Sequence, residues 1–80
     1  MFKNHTLVHT LAHSKIGDKL KVINIAEGAF RSKLMEMGFY EGKEIEILFE
    51  APLGDPIAVS VGDYILSLRK EEASYIEVAH

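Results

Sequence analysis

The sequence predicts a mainly β fold: a small antiparallel barrel of about five short strands, with one short α-helix after the first strand. Short segments that alternate apolar and polar residues recur at about ten-residue spacing, and turn-forming residues separate them. The chain has 80 residues, enough for one domain with a thin core, and closing the sheet into a barrel removes edges that would invite aggregation. With 48% hydrophobic and 26% charged residues, it has enough apolar surface to fold.

The N-terminal part is predicted to be a flexible or partly ordered arm at residues 1–10, followed by the barrel domain at residues 11–80. The arm is either a short helix or extended, because apolar residues and histidines mix there without a helix cap. A turn at Gly17-Asp18 then precedes a strand over residues 19–26, KLKVINIA, which is rich in β-branched residues.

Residues 29–37 are predicted to form the helix. Phe30, Leu34 and Met37 recur at spacings of four and three residues, while charged residues lie between them. This apolar stripe is typical of a short amphipathic helix that packs one face on a core.

The remaining strands follow the helix. In residues 44–50 the alternation places Ile45, Ile47 and Phe49 on one face, which we expect to face the core. The other elements are expected to be strands at residues 57–61, 64–69 and 76–78, a loop over residues 52–56 and a tight hairpin at Gly62-Asp63.

Charge and composition argue against several classes of function. The net charge is −3, whereas nucleic-acid binding needs a basic surface. The first forty residues are net positive and the last forty net negative, which suits docking to a protein. The chain has no cysteine and therefore no disulfide or thiolate metal site. No apolar run could span a membrane and no signal peptide is recognisable, so we expect a cytoplasmic protein without direct membrane insertion.

No constellation of catalytic residues is present, so we predict a protein that is not an enzyme and needs no cofactor. The serines lie outside any Gly-x-Ser-x-Gly elbow, and glycine-rich phosphate loops are absent. Glu44, Glu46 and Glu50 lie on the outer face of one strand. We expect this face to be polar and solvent-exposed. The guanidinium of Arg69 is expected to pair with a carboxylate such as that of Glu72.

The histidines His5, His9 and His13, spaced four residues apart, are weak candidates for a metal site. On a helix they would lie near one face and could hold iron(II). No acidic residue precedes Asp18, so no local carboxylate would orient the rings. Solvated histidines on an arm are the favoured interpretation.

Apolar residues at exposed places indicate a partner surface instead. Leu53 lies at the tip of a loop that two prolines stiffen, and the helix end carries more apolar residues than one face can bury. The sequence leaves the oligomeric state open, and a monomer is the favoured state. The predicted partner-binding residues are Phe39, Tyr40, Pro52, Leu53 and Gly54.

Two motifs in the middle of the chain resemble those of the FeoA family. Residues 31–39, RSKLMEMGF, followed by Gly42 and residues 45–47, resemble the family's Arg-x-x-Leu-x-x-Met/Leu-Gly-Phe/Leu…Gly…Ile block. Residues 51–59, APLGDPIAV, resemble its Ala-Pro-Leu-Gly-Asp-Pro-Ile loop and strand.

A third motif completes the resemblance. Residues 66–73, LSLRKEEA, with Ile76 and Val78 after them, resemble the family's Leu-Ala-Leu-Arg-x-x-Glu-Ala…Ile-x-Val ending. The likeness covers about residues 11–79, and a departure is Glu41, where a proline is common.

The resemblance implies an SH3-like barrel and a small cytosolic accessory protein of bacterial ferrous iron uptake. Its implied partner is FeoB, a membrane transporter with a cytosolic GTPase region, which it would bind and modulate while peripheral at the inner membrane. The alternatives are an iron(II)-handling protein that uses the N-terminal histidines, and a regulatory peptide-binding module like the C-terminal domain of DtxR-type repressors.

Overall fold

A six-stranded antiparallel sheet is the body of the fold in a computed structural model, which describes residues 9–80. Along the sheet the strands follow the order β1-β6-β2-β3-β4-β5. No helix in this part of the chain is long and apolar enough to cross a membrane. The strands are β1 (His9–Thr10), β2 (Lys19–Ile25), β3 (Glu44–Glu50), β4 (Ile57–Val61), β5 (Tyr64–Leu68) and β6 (Ile76–Ala79), and the helices are α1 (Arg31–Glu36), α2 (Lys70–Ala73) and a 3₁₀ turn (Leu11–His13).

The mainly β class is confirmed, and all five predicted strands are present as β2 to β6. Three short elements add to the prediction: β1, the 3₁₀ turn after it, and α2. Helix α2 starts where β5 was expected to end, because Arg69 still has extended dihedrals and the next residue is helical. The signal for this helix was the run Lys-Glu-Glu-Ala, which consists of good helix formers.

The core lies between the sheet and α1, and the predicted apolar stripe positions the helix. Leu34 is fully buried, and Phe30 and Met37 pack against the edge of the core. The Phe30 ring meets the Tyr75 ring edge to face, with centroids 5.3 Å apart. Full burial of one leucine side chain contributes roughly 1.5–3 kcal/mol, so this single turn-and-a-half helix depends on tertiary packing.

Two β-bulges change which side chains face the core. In β3 one extra residue, Leu48, lies between the Ile47–Val59 and Phe49–Ala58 pairs. An extra residue reverses the alternation beyond it. Phe49 is therefore 60% exposed, and the prediction that it faces the core with Ile45 and Ile47 is wrong. A second bulge lies in β2, where Ile23 is the extra residue between Val22 and Asn24 and is exposed. Beyond this bulge Ile25, and not Asn24, faces the core. Both strands keep their predicted positions in the sequence.

A buried carboxylate ties the two α-helices together. Glu72 of α2 is only 7% exposed, and its Oε2 accepts a hydrogen bond of 2.5 Å from Lys33 Nζ of α1. Its Oε1 accepts the backbone N–H of Arg69 at 3.0 Å. The ion-pair partner is therefore Lys33, whereas the expected Arg69 contributes its backbone N–H. These hydrogen bonds, that of Lys33 first, lower the pKa of Glu72 below its ordinary value of 4.5.

The lowered pKa of Glu72 gives a predicted pH dependence of stability. A carboxylate with a depressed folded-state pKa stabilises the fold above its ordinary value of 4.5, and this contribution is lost as the pH falls through the lower, folded-state pKa. We expect Glu72→Gln to lower the free energy of unfolding by about 1–2 kcal/mol at pH 7. The deficit relative to the wild type should shrink toward pH 3.

Urea unfolding followed by circular dichroism at pH 7, 5, 4 and 3 measures this difference. The exposed neighbour Glu71 supplies the matched control, because Glu71→Gln should leave the unfolding free energy nearly unchanged at every pH. Parallel pH profiles for the wild type and Glu72→Gln would show that Glu72 does not stabilise the fold through its charge.

Candidate docking surface

The loop over residues 51–56, between β3 and β4, is held in one shape by three hydrogen bonds. The Ala51 N–H donates to the Pro56 carbonyl at 2.9 Å, and the Gly54 N–H donates to the Ala51 carbonyl at 2.7 Å. Asp55 Oδ1 accepts the N–H of Lys70, the first residue of α2, at 3.0 Å. The loop is thus closed on itself and also fixed to a neighbouring helix.

Leu53 is the exposed tip of this loop. Its side chain is 97% exposed, the largest exposed fraction among the large apolar side chains of residues 9–80. The turn that presents it requires Gly54, whose φ of +89° is a conformation that other residues rarely adopt. An apolar side chain on a pre-shaped loop needs little additional ordering when a partner buries it.

Charged groups border the tip of the loop. A methyl group added at Gly54 would lie 3.6 Å from Glu50 Oε1 and 3.7 Å from Lys70 Nζ, so both charges flank this glycine. Phe49, which the β3 bulge turns outward, adds a second exposed apolar side chain just before the loop. We call the set Phe49, Glu50, Pro52, Leu53, Gly54 and Lys70 the loop surface; it combines an apolar centre with a charged border, as protein interfaces do.

The structure separates the two other predicted contact residues from the loop surface. Phe39 is fully buried in the core, so its side chain cannot contact a partner, which corrects the prediction for this residue. Tyr40 is 50% exposed but precedes β3, while the loop follows it. A strand of seven residues spans roughly 20 Å, so Tyr40 and Leu53 belong to different surfaces.

Tyr40 instead borders a groove beside α1. This groove has a volume of about 310 Å³. The Arg31 guanidinium lines this groove; it donates to the backbone carbonyl of Ile25 and lies 3.8 Å from the carboxylate of Glu27. Both contacts are within the protein and hold this arginine in place. Lys43 Nζ lies 5.4 Å from the centre of the Tyr40 ring, which leaves one ring face engaged by a cation. The lining residues are Asn24, Ile25, Arg31, Met35, Tyr40 and Glu41.

The histidines do not form a ligand set within the described residues. His5 lies outside residues 9–80. His9 is in β1, where its Nε2 is 3.1 Å from Ser14 Oγ, and His13 ends the 3₁₀ turn with its Nδ1 3.0 Å from Thr10 Oγ1. Because this segment is a strand and a 3₁₀ turn, the helical spacing that would align His9 and His13 is not realised. No group of three metal-ligating side chains occurs in residues 9–80.

His9 has a different neighbour, the C-terminal His80. Their rings stack with centroids 5.4 Å apart, and His80 Nε2 lies 3.6 Å from Asp18 Oδ2. The pKa of Asp18 is lowered, mainly by a hydrogen bond of 2.9 Å from the Lys15 backbone N–H and further by His80. The contacts place the two ends of the described chain side by side.

The outer face of β2 and β3 carries opposite charges at paired positions. Lys19 pairs with Glu46 and Lys21 with Glu44 across the two strands. Opposite charges in register make a solvated polar face, the role expected for these glutamates. Glu50 lies beyond the bulge and is therefore not on this face; its Oε1 lies close to Gly54 instead. A groove of about 560 Å³ follows this face and also includes Ser60, Gly62 and His80.

Similarity to known proteins covers nearly the whole chain. The model of the FeoA domain family matches residues 9–80. A curated relative, the Fe(2+) transport protein A/Fe(2+) transporter FeoB fusion protein of Porphyromonas gingivalis, is 41% identical over 69 residues, which are 85% of this chain. The chain spans only 8% of that relative's length.

Solved structures of similar sequence have the same fold. A FeoA-like protein from Clostridium acetobutylicum is 45% identical and superimposes with a TM-score of 0.87, covering 92% of this chain and 87% of its own. The zinc complex of Stenotrophomonas maltophilia FeoA, described as a prokaryotic SH3 domain protein, is 28% identical with a TM-score of 0.77, covering 86% of this chain and 87% of its own. The SH3-like fold is therefore confirmed.

Removing the contact between the loop and α2 should loosen the loop surface. Asp55→Ala deletes the acceptor for the Lys70 N–H, and a lost hydrogen bond of this kind lowers the unfolding free energy by about 1 kcal/mol. Hydrogen exchange at the Lys70 and Gly54 amides should accelerate, as NMR can measure. Glu27→Ala, which removes only an exposed ion pair, is the control and should change neither quantity. Unchanged exchange in Asp55→Ala would show that this contact does not hold the loop.

Proposed function

The chain belongs to the FeoA domain family, a family associated with ferrous iron transport, and from this premise we propose that it binds the cytosolic region of FeoB and modulates that transporter. In this proposal the protein is a non-enzymatic accessory in the cytoplasm, which reaches the inner membrane through its partner. It needs no cofactor of its own.

The fusion protein supports the choice of partner. In Porphyromonas gingivalis a segment similar to this chain and a FeoB transporter belong to one polypeptide. Covalent linkage keeps two modules at a high effective concentration, an arrangement that favours modules that act together. Two modules that are not covalently linked associate only through an affinity of their own, which a docking surface supplies.

The exposed Leu53 on its hydrogen-bonded loop is the observation that carries the proposal. Interfaces gain most of their affinity from a few side chains that become fully desolvated, and 97% of the Leu53 side chain is exposed and could be buried by a partner. The loop hydrogen bonds mean that little conformational entropy is lost on docking. Pro52 and Gly54 extend the apolar contact on either side.

The charged border of the loop surface would orient the partner. Glu50 Oε1 and Lys70 Nζ both lie close to Gly54 and offer one negative and one positive group to complementary charges. Such border charges contribute more to the rate and specificity of association than to affinity. Tyr40 and its groove form a separate, second contact region, whereas the side chain of Phe39 is buried in the core.

Leu53→Asp should weaken binding to the isolated cytosolic region of FeoB at least tenfold, because it places a charge where an apolar side chain is to be buried. Isothermal titration calorimetry, with and without a GTP analogue, measures the affinity. Ile16→Asp is the matched control: Ile16 is also exposed and apolar but lies on another loop, so binding should persist. The melting temperature of both variants should stay within about 2 °C of the wild type, since surface changes cost little.

Two outcomes would contradict this assignment. Equal weakening by Leu53→Asp and Ile16→Asp would mean that charge, and not the loop surface, governs binding. Full binding by Leu53→Asp together with loss in Tyr40→Ala would move the site to the groove beside α1.

Modulation gives a second, independent prediction. If docking through the loop surface alters the transporter, the rate of GTP hydrolysis by full-length FeoB in vesicles should change when the wild-type protein is added at saturating concentration. The same concentration of Leu53→Asp should leave the rate at its basal value. A phosphate-release assay measures both. An unchanged rate at demonstrated saturation would reduce the role of this protein to binding alone.

A further inference from the structure

Strand β5 forms an open edge of the sheet. Within residues 9–80 it pairs with β4 and with no other strand. Val61 and Tyr64 close the two-residue hairpin turn and form its first hydrogen-bonded pair, and such pairs alternate along an antiparallel ladder. The backbone N–H and C=O groups of Ile65 and Ser67 therefore point away from β4, toward the open edge.

The side chains of this strand lack the usual protection of an edge. Natural edge strands commonly carry lysine, another charge or a proline, which prevents pairing with a further strand. Here the five residues YILSL are uncharged, and Tyr64 and Ile65 are 68% and 69% exposed. The edge thus presents free backbone groups together with apolar surface.

Two opposite charges flank the strand symmetrically. Asp63 precedes it and Arg69 follows it, each three residues from the central Leu66. Arg69 continues the extended conformation, with φ −69° and ψ 147°, so it prolongs the line of the strand. Neither side chain takes part in the salt bridges found among residues 9–80.

We propose that β5 pairs with β5 of a second copy of this chain, antiparallel and with the two-fold axis at Leu66. This register brings Asp63 of each copy, the turn residue just before the strand, close to Arg69 of the other copy, so that the dimer contains two Asp63–Arg69 ion pairs. Ile65 lies opposite Ser67 of the second copy, and the outward backbone groups of these residues form four hydrogen bonds. Leu66 faces its own equivalent.

The charges favour this register and favour a second copy of this chain as the partner. A shift of the pairing by two residues in either direction would separate Asp63 from Arg69 and place Arg69 opposite an apolar residue, Val61 or Ile65. A parallel arrangement in register would set Asp63 against Asp63 and Arg69 against Arg69, which is repulsive. The strand is therefore complementary to itself in one antiparallel alignment, as a two-fold interface requires.

On the outer face of the joined sheets, Ile65 of each copy would lie diagonal to Ile65 of the other. Diagonal neighbours across an antiparallel pair are close enough for such side chains to touch, so both lose part of their exposed surface. The interface is small, and we expect a weak dimer with a dissociation constant of about 100 μM. It would be stronger at low salt, because its two ion pairs are exposed.

Sedimentation equilibrium of the full chain from 10 μM to 1 mM tests the proposal. The average mass should rise with concentration from 9.0 kDa toward twice that value. Ile65→Lys puts a charge at the centre of the interface and should keep the protein monomeric throughout. Asp63→Lys and Arg69→Glu should each weaken self-association about tenfold, because each sets like charges against each other.

Mixing the two charge variants is the decisive measurement. Asp63→Lys offers two cations and Arg69→Glu two anions, so an equimolar mixture restores both attractive pairs and should associate like the wild type. A wild type that stays monomeric at 1 mM overturns the proposal. Self-association that these variants leave unchanged, or a mixture that fails to recover, overturns the register. Binding of FeoB that Ile65→Lys abolishes in a monomeric wild type would assign the edge to a strand of another protein.

Discussion

The double pairing of β4 is the constraint on which the rest of the structure depends. All five residues from Ile57 to Val61 pair with β3 on one side and with β5 on the other, and four of them are buried. A strand held on both edges cannot shift its register without breaking two ladders. Its two ends therefore have fixed positions: the loop over residues 51–56 enters it, and the hairpin to β5 leaves it.

The bulge in β3 turns part of the apolar surface of this strand to the outside. Without the extra residue, Phe49 would continue the inward row of Ile45 and Ile47, as the alternation predicts. With it, an aromatic side chain is moved from the core to the outside, next to the loop that carries Leu53. The thin core of a domain of this size loses one aromatic residue, and the apolar surface available to a partner grows by the same residue.

The two short helices help to hold the loop over residues 51–56 in place, although neither contributes an apolar contact to it. The buried Glu72 holds α2 against Lys33 of α1, and the first N–H of α2, that of Lys70, is bound by Asp55 of the loop. The shape of the loop is thus coupled to the Glu72–Lys33 ion pair between α2 and α1. A helix of four residues could not keep its place without such a tertiary contact, since isolated short helices are unstable in water.

The sequence by itself determined the class of fold, the positions of β2 to β6, the α1 stripe around Leu34, the stiff loop with Leu53 and, through its motifs, the family. These features are local: alternation, helical spacing and turn residues act within a few neighbours along the chain. Only the tertiary structure decided that Phe49 faces out, that Phe39 is buried, that Tyr40 is remote from the loop and that β5 has an open edge. One physical reason is that the alternation of apolar and polar residues before a bulge does not reveal that an extra residue follows. The other is that the exposure of a side chain depends on which strand, distant in the sequence, lies beside it.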